Sequence, residues 1–155
     1  MKISSPAFAD KGFIPIEYTQ EGEDLSPPLV ISDIPEAAKS LVLIVEDPDA
    51  PDPENPKLIF THWIVYNLPS QPMELAAGQD ISQIPGAKEG LNDRGTVGYI
   101  GPRPPIGTHR YFFKLYALNT ELSFERPPQR KEVLREMDGF VVGSAQIVGL
   151  YKLTA

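Results

Sequence analysis

Leu41-Val-Leu-Ile-Val-Glu46, running straight into Asp47-Pro-Asp-Ala-Pro51, is the stretch that decides the fold. An aliphatic run without polar alternation is the pattern of a strand buried on both faces. Two carboxylates fixed by two prolines follow directly. Such charges are costly at the mouth of a core unless they have partners. A solvated Asp-Pro turn is the plainer reading of the same residues.

Outward from this run, His62-Trp-Ile-Val-Tyr-Asn67 and the aromatic-rich Tyr111-Phe-Phe-Lys-Leu-Tyr-Ala-Leu118 read as further strands. Phe140-Val-Val and Ala145–Tyr151 supply one or two more, with weaker candidates at Phe13–Tyr18 and Leu29–Ser32. One helix is expected over Arg130–Met137, with Val133, Leu134 and Met137 on one face, prolines in its first turn and Gly139 at its C-terminal cap. No repeat or linker divides the chain, so residues 1–155 are expected to form a single domain. The expected fold is mainly β, a two-sheet antiparallel Greek-key sandwich with one or two short helices.

Composition agrees with this reading. The chain has 155 residues, 41% hydrophobic and 23% charged, an ordinary globular balance. Seventeen prolines and twelve glycines point to many short elements joined by shaped loops. A net charge of −7 argues against nucleic acid or an acidic membrane as the main partner, since both need a basic footprint. Without cysteine there is no disulfide, thiolate metal site or thiol nucleophile. No apolar run reaches ~18 residues and no apolar h-region follows Met1, so no integral membrane association is expected. A cytoplasmic location is the expectation, although a chain already freed of a signal would look similar.

Chemistry concentrates at strand ends. The chain has only two histidines, His62 and His109, each at a predicted strand entry and near a proline-fixed loop. A lone histidine is more often structural; two in this placement point to one shared site with a carboxylate and a phenol. Asp47, His62, His109 and Tyr111 are therefore expected to converge. An anion between two imidazoles would favour their protonated forms, so binding would weaken as pH rises through roughly 6 to 8. Asp47–Pro51 is expected to reverse tightly, with a cis bond before Pro51.

Five segments, taken in order, carry a family resemblance: Tyr18-Thr-Gln-Glu-Gly-Glu-Asp-Leu-Ser-Pro-Pro-Leu29, Asp47-Pro-Asp-Ala-Pro51, His62-Trp-Ile-Val-Tyr-Asn67, Gly98-Tyr-Ile-Gly-Pro-Arg-Pro-Pro105 and Gly107-Thr-His-Arg-Tyr111. Together they resemble the phosphatidylethanolamine-binding protein (Raf kinase inhibitor protein) family, and the compact ending resembles its bacterial and archaeal branch. The resemblance implies a Greek-key sandwich with a small pocket for phosphate-like or carboxylate ligands. It implies Asp47, His62, His109 and Tyr111 as pocket residues, Gly101, Pro105 and the backbone at Arg103 as the lining loop, and Asp49 and Pro51 as wall-shaping residues. Prokaryotic relatives are often dimeric, so a homodimer is also implied, although no exposed apolar stripe demands one. Two departures stand out. Arg103 replaces a usually small residue, implying a narrower and more cationic mouth, and Ile31 replaces a frequent aromatic, which changes packing.

The leading functional reading is a non-catalytic module that binds small anions. Regulation of a partner protein such as a kinase belongs to some family members and does not follow from the fold. The alternative is a hydrolase with His62 or His109 as general base and Asp47 orienting it, but no nucleophile is evident. A metal site built from His62, His109 and Asp47 is the third reading. No cofactor is implied.

Overall fold

The computed structural model describes residues 1–154. Nine strands form two sheets. They are β1 (Lys2–Ser4), β2 (Gly12–Phe13), β3 (Leu29–Ser32), β4 (Ser40–Ala50), β5 (Leu58–Leu68), β6 (Met73–Leu75), β7 (Lys88–Glu89), β8 (His109–Leu118) and β9 (Val141–Tyr151). The smaller sheet has the order β1-β3-β6, the larger β2-β9-β8-β4-β5-β7. The expectation of purely antiparallel sheets is corrected at one edge, where β2 runs parallel to β9.

The aliphatic run lies on β4, between β8 and β5 near the middle of the larger sheet. Alternate residues serve two cores, which is why the run lacks polar positions. Leu41, Leu43 and Val45 join Leu29, Ile31 and Leu75 of the smaller sheet, with Trp63, Phe113 and Leu115. Val42 and Ile44 face the other way, with Ile64 and Tyr66, under Val133 and Met137 of helix α1 (Arg130–Met137). The helix has its expected bounds. Gln129 and Glu132 form a reciprocal capping box, and Gly139 takes φ +87° just past the end. Pro127 and Pro128 lie before the cap rather than in the first turn.

The two C-terminal strand candidates are one strand, β9. Phe13–Tyr18 divides into β2 and a 3₁₀ turn at Ile16–Tyr18. The short β1, β6 and β7 and a second 3₁₀ turn at Ile81–Gln83 carry too few residues for a periodic signal.

The Asp47–Pro51 segment also corrects its expectation. The Ala50–Pro51 bond is cis, as anticipated, but there is no tight reversal at Asp47. The strand continues through Asp47 to Ala50, and the chain returns only at Leu58. No helix among the described residues is long and apolar enough to cross a membrane.

Candidate functional site

The site forms where three adjacent strands, β8, β4 and β5, end together, and two irregularities aim its side chains. Val45 pairs with Trp63 and Glu46 with Thr61, which leaves His62 as the extra residue of a bulge on β5. Asp47 pairs with Phe60 and Ala50 with Leu58, which leaves an extra residue on β4 between them. Bulges of this kind re-aim side chains at sheet ends. Here Asp47, Phe60 and His62 all reach the same cavity as His109 and Tyr111 of β8.

That cavity has a volume of about 250 Å³. Pro51, Arg103, Pro104 and Pro105 contribute to its wall, as do Gln20 and Leu58. Rings follow one another across it: Phe60 and His62 at 4.9 Å, His62 edge-on to Tyr111 at 5.2 Å, and Tyr111 stacked on His109 at 6.4 Å.

Each imidazole is fixed by named partners. His109 is fully buried, and its Nδ1 lies 2.6 Å from Asp47 Oδ2. Its Nε2 faces the carbonyls of Ile106 at 2.9 Å and Pro51 at 3.1 Å. All three partners accept, so the ring donates from both nitrogens and forms an ion pair with Asp47. His62 is 4% exposed, and its Nδ1 donates to the Ile100 carbonyl at 2.6 Å. The Ile100 amide donates back to the His62 carbonyl at 3.0 Å, laying the loop onto β5. Burial, and then the charge of His109, push His62 down to about 4 against the pull of the Ile100 carbonyl. His62 is therefore neutral at pH 7 and presents a lone pair at Nε2.

No buried side-chain nitrogen or oxygen among the described residues lacks a partner. The Nε2 of His62 and the hydroxyl of Tyr111, which make no protein hydrogen bond, must therefore open on the cavity that both residues line. Burial, reinforced by Asp47, pushes the Tyr111 phenol upward, so it stays protonated. The expectation of two cationic imidazoles concerned the anion-bound state; in the free protein the two rings differ. One ring is spent on protein acceptors and the other is neutral.

Asp47 accepts from the Asp49 amide at 2.7 Å as well as from His109. Burial raises its carboxyl above the ordinary value, and His109 only partly offsets this. Asp49 does not line the cavity. Its carboxylate takes Nε and Nη2 of Arg110 at 3.0 and 2.9 Å and the Arg110 amide at 2.9 Å, bracing β4 against β8. Burial works against that charge, but the Arg110 bonds outweigh it and hold Asp49 below its usual range. Gly101 also lies outside the cavity wall. Its amide donates to Asp24 Oδ1 at 2.7 Å, and a Cβ there would collide with that carboxylate and the Tyr18 carbonyl.

Sequence reasoning missed Gln20, Ala50, Leu58, Phe60 and Pro104 as lining residues. Gln20 donates to the Gly101 carbonyl at 2.9 Å and accepts from Arg94 at 2.8 Å. Its signal was present only as part of the Tyr18–Leu29 segment. The residues of the third reading do not form a metal centre: no group of three ligating side chains is found among the described residues, and His109 and Asp47 already occupy each other.

Comparison with known proteins agrees with this architecture. The sequence profile of the family described as phosphatidylethanolamine-binding protein matches residues 4–152. A UPF0098 protein of Methanothermobacter thermautotrophicus is 46% identical over 98% of this chain and 99% of its own. The crystal structure of a phosphatidylethanolamine-binding protein homologue from Chlamydia trachomatis superposes with a TM-score of 0.89 at 43% identity, covering 98% of this chain and 97% of that one. YbcL of Escherichia coli, described as a member of the mammalian family, gives 0.86 at 28% identity over 99% and 98%. With profile, relatives and fold in agreement over nearly the whole length, the chain belongs to the phosphatidylethanolamine-binding protein family.

Proposed function

We propose that this protein binds a small phosphate-like ligand in the cavity at the β8-β4-β5 end, without transforming it. The observation that carries the reading is a cavity of about 250 Å³ lined by Arg103, Tyr111 and His62, with polar atoms of Tyr111 and His62 that have no protein partner. The volume is below that of a drug-sized site, matching a phosphoryl or carboxyl group with a few attached atoms. Arg103 supplies a charge that does not titrate near neutrality, and Tyr111 a fixed donor. Asp47 and His109 line the cavity but satisfy each other, and Asp49 and Gly101 brace the strands and loop behind it. Pro51 and Pro105 shape the entrance.

The hydrolase reading fares worse. His109 has no nitrogen free to take a proton, and His62, the free base, is oriented by a carbonyl rather than by Asp47. A base pushed down to about 4 is also poorly matched to work near pH 7.

The test is a thermal-shift screen with phosphate, phosphorylated headgroups, nucleotides and acetate. A ligand at about 100 Kd stabilises by about 2.7 kcal/mol. Arg103→Ala should weaken the best ligand about ten- to a hundred-fold, as expected for loss of a charge-assisted bond. Equal binding by Arg103→Ala and Tyr111→Phe, or no stabilisation by any anion, would contradict the reading.

A further inference from the structure

We infer that the cavity selects the singly protonated form of a phosphomonoester, which donates its P–OH to Nε2 of His62. This rests on the anion-pocket reading above and specifies its ligand. The tautomer of His62 decides what its free nitrogen can accept. Nδ1 of His62 faces the Ile100 carbonyl at 2.6 Å, a contact only an N–H can make, so in the neutral ring Nε2 is an acceptor. That acceptor is unpartnered and open to the cavity. A fully ionised phosphate oxygen placed against it would set lone pair against lone pair. Transfer of a proton to the ring would relieve this, but it would create a second buried cation beside His109, which the burial of His62 already disfavours.

The surrounding charges agree. Asp47 on β4 and His109 on β8 are satisfied by each other. Tyr111 on β8 offers its hydroxyl, and Arg103 is the one Lys or Arg among the described residues that line the cavity, with Glu21 near enough to feel its charge. One cation, one phenol and one imidazole lone pair match a monoanion that accepts twice and donates once. A phosphomonoester with one remaining proton does this. A phosphodiester or a sulfate ester carries the same single charge but has no proton to give. Among ligands of equal charge and similar size, discrimination therefore falls on the proton, and an unmatched buried acceptor is strongly selective.

The experiment is calorimetric titration of the wild-type protein between pH 5.5 and 8.5 with ethyl phosphate, ethylphosphonate, ethyl sulfate and diethyl phosphate. Ethyl phosphate should bind with constant affinity below its second pKa of about 6 and lose about tenfold per pH unit above it. The phosphonate, which holds its last proton more tightly, should give the same profile displaced to higher pH. The sulfate and the diester should bind at least tenfold more weakly, with no such break. If the phosphate and phosphonate profiles break at the same pH, a protein group sets the dependence and the inference fails. If ethyl sulfate binds as well as ethyl phosphate, the anion pocket stands but the proton preference does not. If no ligand of the series binds at any pH, the anion-pocket reading falls, and the inference with it.

Discussion

Glu46 and Asp47 are neighbours on β4, 2% and 3% exposed, and they face opposite sides of the same sheet. Glu46 holds Lys114 of β8 at 3.4 Å and Arg130 of α1 at 3.2 and 3.3 Å, tying the helix to the sheet. Phe112 lies beneath that surface, with Arg110 and Lys114 5.3 and 5.5 Å from its ring centre. Asp47 is equally saturated, by His109 and the Asp49 amide. Burial of a carboxylate therefore does not distinguish the two faces. Spare capacity does: beside Asp47, but not on it, an imidazole nitrogen and a phenol open on a cavity with nothing to bond. The carboxylate is scaffold, and the site is what the scaffold leaves unsatisfied.

The comparison can be broken by mutation. Asp47→Ala should be the most damaging change, at about 3–5 kcal/mol in urea unfolding, because it leaves the Nδ1–H of fully buried His109 without its carboxylate. A loss under about 1 kcal/mol would mean that the pair is not the scaffold. Next comes acid. The folded-state value of His62, about 4, lies below its unfolded 6.5, so the unfolded chain binds the extra proton in between. Stability from this group is complete above pH 6.5 and is lost as pH falls towards 4, on the order of 3 kcal/mol in all. Across that window the unfolding free energy of wild type should fall by this much more than that of His62→Gln, and parallel curves would refute it. Glu46→Ala should cost only about 2 kcal/mol, because the side chains of Lys114 and Arg130 are 30% and 25% exposed and can regain water. The smallest effect sharpens the contrast. Glu46→Ala should leave phosphate affinity within about twofold, whereas Arg103→Ala should not.

The sequence made the fold legible because Leu41–Val45 could only be a strand covered twice, and Arg130–Met137 carried both its apolar face and its Gly139 stop. The convergence of Asp47, His62, His109 and Tyr111 was legible from two scarce histidines at strand entries. What each ring does was not legible, because it depends on carbonyls of Ile100, Ile106 and Pro51 that leave no side-chain signal. The bulges that aim His62 and Asp47 are register shifts between strands, which no single stretch records. Gln20, Leu58 and Phe60 were missed for a related reason: nothing in their local pattern separates a cavity wall from an ordinary strand or turn.

The account is tested most directly by long-range proton–nitrogen NMR of the two histidine rings at pH 7 during titration with ethyl phosphate. It predicts that in the free protein His109 shows protons on both nitrogens and His62 on Nδ1 alone. At saturation the Nε2 signal of His62 should move as it accepts a hydrogen bond, while His109 keeps its protons and the amides around Lys114 and Arg130 stay still. A ligand that leaves His62 Nε2 unmoved, or that instead perturbs the Glu46 face, would contradict the claim that the site lies where the scaffold leaves polar atoms unsatisfied.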